Sequence, residues 1–272
     1  MTHDADQSPT TWRSGSLRWQ ILVLLAAWVW LWGLHPHNDG LWFQGDAPRN
    51  AVNGFFWIDY LGDFTLNARE YALSYFARYP AIDPATRPPV FYLVEGSAYQ
   101  LLGPSPYVAK GVVLCFALLA AVYLTLWLRE WVSVEAAWSA ALLLLLPGMT
   151  RWSHAIMLNV PALALGMGAL YHARRWLEVS ATRRRDLLWA TTLTVLGILT
   201  YYLTGVVVLI IACWIAMRGD RRRWIERQTL AAISCCVLLL LPFIWLIANW
   251  APVQLSWVLI DVEDVATLEN WT

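Results

Sequence analysis

The sequence predicts an all-α polytopic membrane protein with about seven transmembrane helices and interfacial helices in a long first outer loop. Three observations carry this expectation: a succession of long apolar runs, arginine clusters confined to alternate loops, and a composition rich in tryptophan. Of 272 residues, 59% are hydrophobic and 19 are tryptophan, against about 45–50% apolar residues in an average soluble domain. The apolar runs lie near 17–34, 106–128, 134–150, 156–173, 187–201, 204–217 and 229–249. Several approach the ~20 residues that span a hydrocarbon core.

The run 88–102 is short, opens on two prolines and carries Glu95, so hydropathy alone does not assign it. The arginines do. If this run lies at the outer interface, Arg174, Arg175, Arg183, Arg184 and Arg185 share one inner loop, and Arg218, Arg221, Arg222, Arg223 and Arg227 another, as the positive-inside bias requires. Counted as a crossing, it would send both clusters outside. The seven-crossing solution places the N-terminus, with Arg13 and Arg18, inside, and 35–105 and the tail from 251 outside. Those two outer segments hold eleven acidic residues: Asp39, Asp46, Asp59, Asp63, Glu70, Asp83, Glu95, Asp261, Glu263, Asp264 and Glu269.

The expected organisation follows. Residues 1–16 are a polar, disordered cytosolic lead, 17–250 a transmembrane module containing outer loop 35–105, and 251–272 the start of a second outer loop. The first run holds Trp28, Trp30 and Trp32 and lacks a small-residue cleavage pattern, which favours an uncleaved signal anchor. The protein is expected in the cytoplasmic (inner) membrane, multi-pass, among membrane lipids, with a cytosolic N-terminus.

Net charge is zero, and orientation accounts for the basic loops, so no nucleic-acid partner is expected. Cys115, Cys213, Cys235 and Cys236 fall inside apolar runs, where cysteine behaves as a small buried hydrophobe. His35 and His37 flank Pro36 at a membrane exit, a spacing too weak for a metal site, while His154 and His172 sit at helix ends. No metal and no cofactor are expected.

The outer loop is too long for a simple turn. Residues 47–60 place Val52, Phe55, Phe56 and Asp59 at helical spacing, with Asp46 as N-cap and Pro48 in the first turn. Residues 65–79 form a second helical candidate with an aromatic side, 80–89 breaks it, and Pro88-Pro89 starts a third that ends at Gly103-Pro104. Aromatic rings favour the interface, so three short helices along the membrane surface are expected. Further on, Thr200-Tyr201-Tyr202-Leu203-Thr204-Gly205 separates two short helices on the outer side, where Gly205 permits a tight turn. Asp46 has two readings on spacing alone: an ordinary N-cap, or a carboxylate placed to act as general base beside the membrane.

The Gly45-Asp46-Ala47 segment, then Arg87-Pro88-Pro89-Val90-Phe91-Tyr92-Leu93 and Leu102-Gly103-Pro104-Ser105-Pro106-Tyr107 before the second crossing, resembles membrane glycosyltransferases of the GT-C fold. The similarity runs over roughly 17–250 and is to the protein mannosyltransferase and aminoarabinose transferase superfamily. The resemblance implies a polyprenyl-phosphate-linked sugar as partner and inverting transfer to an acceptor that the sequence does not identify. It maps the essential loop aspartate onto Asp46. The leaving phosphate needs cations, for which Arg87 and Lys110, the only lysine, are the candidates; both also suit a snorkelling role at the interface. Asp83, Tyr92, Glu95, Asn159, Tyr201 and Tyr202 are candidate sugar or acceptor contacts. Two positions depart from the relatives. Many carry lysine where this chain reads Tyr201 in Leu199-Thr200-Tyr201-Tyr202, and aspartate where it has Asn159 in Met157-Leu158-Asn159-Val160-Pro161.

Relatives also carry further crossings and a soluble outer domain, so the chain reads as a truncated form, a fragment or a minimal module. Alternative readings are an inactive relative or non-enzymatic membrane subunit, favoured by Tyr201 and Asn159, and a transporter, disfavoured by the scarcity of charge within the crossings. Orientation is directly testable. A cysteine at Ala47 or Thr65 should react with an impermeant thiol reagent in intact cells, and one at Ala181 only after the membrane is opened. The reverse pattern would reject the topology.

Overall fold

The computed structural model describes residues 11–33, 46–63, 65–79, 82, 86–178, 183–218 and 226–268, and among these only helices and turns occur. The helices are α1 (Thr11–Gly33), α2 (Ala47–Gly62), α3 (Ala68–Arg78), α4 (Pro89–Leu102), α5 (Pro106–Trp131), α6 (Ala140–Leu145), α7 (Pro147–His154), α8 (Asn159–Glu178), α9 (Arg183–Ile198), α10 (Val206–Met217) and α11 (Arg227–Leu268). Two helical stretches, Pro106–Trp131 and Arg227–Asn249, are each long and apolar enough to cross a membrane, and α7 with α8 forms a third candidate bent by 116°. Shorter apolar helices cover Leu17–Gly33, Ala136–Leu145 and Tyr202–Met217.

Several boundaries differ from the sequence reading. Helix α1 begins at Thr11, inside the stretch expected to be disordered. The apolar run 134–150 is not one helix: a 3-10 turn at Ala136–Ser139 precedes α6, and Leu146 is extended at ψ 135°. Pro147 is the cause, because a proline ring disfavours the helical region for the residue before it. After α7, Ala155 is extended as well, and Pro161 fits the first turn of α8, where a missing N–H costs nothing. The last helix continues through Leu268 rather than ending in a loop near 250. At the α9–α10 break, Tyr202–Gly205 forms a 3-10 turn in which Gly205 has φ −56°, so no left-handed freedom is used there. The one positive φ among the described residues is Gly103, at 84°, which ends α4. Cys115, Cys213 and Cys235 lie exposed on helix surfaces, not buried. Ala47 is 2% exposed, which leaves Thr65 as the outer labelling position, in a variant stripped of native cysteines.

Helix α5 is the axis of the bundle. Ala109, Ala117, Ala120 and Ala121 on its buried face are fully covered, and small residues let neighbouring backbones approach closely. Helix α1 packs along it, and Trp28 Nε1 donates to the Leu114 carbonyl at 2.8 Å. Helix α8 packs on the other side and pairs with α9. At about 1.5 Å per residue α5 is ~39 Å long, so its two ends define two separate polar regions.

One region holds the arginine clusters. Arg129 donates to Gln20 at 3.0 Å, and Gln20 donates to the Val134 carbonyl at 2.8 Å, which ties the start of α1 to the end of α5. Arg175 pairs with Glu130 at 2.7 Å and with Asp186 at 3.3 Å. Glu178 accepts from Trp131, Arg174 and Arg218. The ends of α5, α8 and α10 and the start of α9 therefore share one electrostatic network.

The other region begins with α2 and α4, which pack against each other. A Cβ at Gly96 would fall on the Gly54 carbonyl and the Ile58 side chain, so the two helices touch backbone to backbone. Phe55 stacks on Tyr99 with centroids 4.8 Å apart and planes 15° apart. Glu95 is fully buried in this seam. Its Oε1 accepts from the Tyr99 hydroxyl at 3.2 Å, and Oε2 has no hydrogen-bond partner among the described residues. Burial pushes its pKa well above the ordinary carboxylate value, with Tyr99 opposing only in part.

Two outcomes follow. Gly96→Val should destabilise the purified protein by about 1–3 kcal/mol through overpacking, while Gly62→Ala, with open space around it, should leave thermal unfolding unchanged. A raised folded-state pKa means that the stabilisation from protonated Glu95 is complete below pH 4.5 and is lost as pH rises through the folded value. Glu95→Gln should therefore flatten the pH dependence of unfolding and raise stability at neutral pH; an unchanged profile would show that Glu95 is not protonated in the fold.

Candidate functional site

Asp46 is followed by a proline-bearing first turn, and α2 starts there as the sequence predicts. Asp46 occupies the N-cap position, but its side chain makes no capping hydrogen bond. The carboxylate instead pairs with Arg87, Nη2 to Oδ1 at 2.8 Å, with side chains 47% and 12% exposed respectively. A half-open carboxylate thus stands beside a largely covered guanidinium.

Asn50, one helical turn beyond Asp46 and 1% exposed, organises the surroundings. Its Oδ1 accepts from Arg87 Nη1 at 2.7 Å and from the Tyr92 hydroxyl at 2.7 Å. Its Nδ2 donates to the Ile156 carbonyl at 2.6 Å and faces Met157 Sδ at 3.7 Å. All hydrogen-bonding capacity of the amide is thus engaged, and three chain segments converge on it: the start of α2, the start of α4 and the link before α8. A fourth joins through the backbone, where Val90 N donates to the Leu199 carbonyl at 2.8 Å. That bond sets the α9–α10 break beside the first turn of α4.

Helices α2 and α4 run parallel, because Arg87 meets Asp46, Tyr92 meets Asn50 and Gly96 meets Gly54 in the same chain order. Their N-termini therefore lie side by side at Arg87, and the start of α8 is close by through Ile156. Helix N-termini carry partial positive charge and exposed amides, so a gathering of them favours an anion.

The sequence candidates divide accordingly. Asp46, Arg87 and Tyr92 are brought into one cluster. Asn159 is exposed at the first turn of α8, three residues beyond the Ile156 carbonyl. Tyr201 is half-buried against the main core, and Tyr202, at the start of the 3-10 turn, stacks on Phe243 at 6.3 Å. Lys110 is 1% exposed in the first turns of α5. Glu95 faces Gly54 inside the α2–α4 seam with no exposure, away from the Asp46 cluster. Asp83, His35 and His37 lie outside the described residues. Among those described, no group of three or more His, Cys, Asp or Glu side chains converges as a metal site would.

Sequence reasoning missed Asn50, although the signal was available: it lies at i+4 from Asp46 and so on the same helix face. The Ile156 carbonyl had no sequence signal, because it depends on the bend between α7 and α8.

No family model and no curated protein matches the sequence. In structure the chain is similar to ArnT from Cupriavidus metallidurans, solved bound to undecaprenyl phosphate, with a TM-score of 0.65 at 17% identity. The similarity covers 84% of this chain and 41% of ArnT, so the chain spans less than half the length of that protein. What the two share is the fold, an all-helical one of the GT-C kind.

Proposed function

We propose that the chain is a membrane glycosyltransferase that takes a sugar from a polyprenyl-phosphate-linked donor on the extracytoplasmic side. The observation that carries this reading is the half-exposed Asp46 carboxylate, paired with Arg87 where the N-termini of α2 and α4 meet. A base and an anion site lie side by side there, as transfer from a lipid phosphate requires. ArnT was solved with undecaprenyl phosphate, which supports the same class of lipid here.

In this reaction Asp46 takes the proton of an acceptor hydroxyl or amine, and the acceptor attacks the anomeric carbon. The bond from that carbon to the phosphate oxygen breaks with inversion, and polyprenyl phosphate leaves. Arg87 and the helix N-termini hold the developing phosphate charge, and Lys110 is the second cation proposed for it. Asn159, Tyr201 and Tyr202 are the contacts proposed for sugar and acceptor, while Tyr92, fully buried, serves the site by holding Asn50. Because Arg87 is already paired with Asp46, a donor phosphate competes with the carboxylate for the guanidinium, and donor binding frees the base.

This competition gives a two-sided test. Asp46→Asn should lower turnover by about 10²–10⁴-fold while holding polyprenyl phosphate at least as tightly as the parent. Arg87→Ala should weaken lipid-phosphate binding, and Lys110→Ala should too, with a double variant costing less than the sum if both meet one phosphate. Near-normal turnover after Asp46→Asn would remove Asp46 from the mechanism. Asn159 and Tyr201 favour a second reading, an inactive relative; tight donor binding by the parent without any transfer would select it.

A further inference from the structure

At the arginine-rich end, far from Asp46, a cavity of about 430 Å³ opens between α5, α8 and α9. Its floor is a stripe on α5 formed by Leu119, Val122 and Leu126. These residues recur at helical spacing, so the stripe is about 10 Å long. Arg175, Arg185 and His172 stand around the rest of the cavity, with Trp189 beside them.

The carboxylates here are already engaged. Asp186, 4% exposed at its side chain, is held by His172 Nδ1 at 2.8 Å and by Arg175 Nε at 3.3 Å. Glu130 is occupied by Arg175 Nη1 at 2.7 Å and by the Tyr171 hydroxyl at 2.9 Å. Arg185 is exposed, and among the described residues it makes no ion pair with either carboxylate. These pairs therefore fix Arg175 and His172 as a wall, and Arg185 brings a positive charge to the opening that nothing in that wall neutralises. A charged, aromatic opening over an apolar floor matches an amphiphile with an anionic head. Basic pockets between membrane helices recognise phosphate-bearing lipid head groups in this way, and Arg offers a planar fork to phosphate oxygens.

We propose that this cavity is a phosphate-binding site, with Arg185 and Arg175 as its cations and the α5 stripe as the bed for an attached hydrocarbon chain. The ligand class is an anionic phospholipid head group, favoured over free phosphate by the apolar floor. The site lies at the opposite end of α5 from Asp46 and does not depend on the sugar-transfer reading. Its role is to bind a lipid that ties α5, α8 and α9 together at the membrane surface.

The test uses the purified full chain, with native mass spectrometry reading retention of phosphatidylglycerol against phosphatidylcholine. The parent should retain phosphatidylglycerol preferentially. Arg185→Gln, at an exposed position that leaves the Arg175 and His172 pairs intact, should weaken it about tenfold, the weight of one charge-assisted hydrogen bond. Leu119→Ser should weaken the phospholipid and leave any stabilisation by inorganic phosphate unchanged. Thermal stabilisation by inorganic phosphate that Arg185→Gln abolishes, with no preference between the lipids, would keep the phosphate site and assign it to free phosphate. Equal retention of both lipids with no effect of inorganic phosphate, or identical binding by the parent and Arg185→Gln, would overturn the proposal.

Discussion

The backbone contact between Gly96 and Gly54 is the constraint on which the Asp46 end of the molecule depends. Two helices that meet without side chains at the crossing have one register, since any larger residue at either point would lift them apart. Once that register is set, the parallel alignment places Tyr92 over Asn50 and brings Arg87, which precedes α4, against Asp46, which precedes α2. The same close approach encloses Glu95, whose carboxyl is fully buried and whose pKa that burial raises above the ordinary carboxylate value. Stability and site geometry therefore come from one crossing, and a change there moves both.

The two ends of the bundle solve the problem of charge differently. At the arginine-rich end, carboxylates and guanidinium groups pair across four helices, and each of Glu130, Glu178 and Asp186 has at least two partners. Networks of this kind are rigid, because removing one member leaves another charge uncompensated in a partly buried position. At the Asp46 end, a neutral amide holds the elements together and one ion pair is left half open. A rigid end anchors helices; an end with a single exchangeable pair can bind a substrate charge without dismantling the fold.

How much of this was legible in the sequence depends on whether the determinant was local. Helices α2 and α4 were readable, since Pro48, Pro89 and Gly103 mark limits by fixed backbone preferences. The clustering of Arg174, Arg175 and Arg218 at one end was readable too, because the positive-inside bias acts loop by loop. Asp46 was legible as a helix start, but its partner was not a local matter: Arg87 reaches it only through the α2–α4 register. The break at Leu146 was within reach of the rule for residues preceding proline, yet the apolar run around it outweighed that signal. Asn50 and Glu95 show the remaining limit. Both are polar residues in helices of mixed composition, and only tertiary packing decides that one becomes a hub and the other a buried acid.

The Asn50 amide also bears on how the proposed reaction proceeds without loss of order. Arg87 uses Nη1 for Asn50 and Nη2 for Asp46, so its two ends have separate duties. A donor phosphate that takes the Nη2 side from Asp46 leaves the Nη1 bond in place, and the guanidinium exchanges one anion for another without leaving its seat. Asn50 is suited to this because it carries no charge of its own: a carboxylate at the same position would compete with the phosphate for Arg87 and would lose the donors that hold the Ile156 carbonyl. Its amide fixes the cation, the Tyr92 hydroxyl and the approach to α8 at once. The ion pair between Arg87 and Asp46 is half open, and in the proposed reaction it is the contact through which the arrival of donor phosphate would be coupled to release of the base.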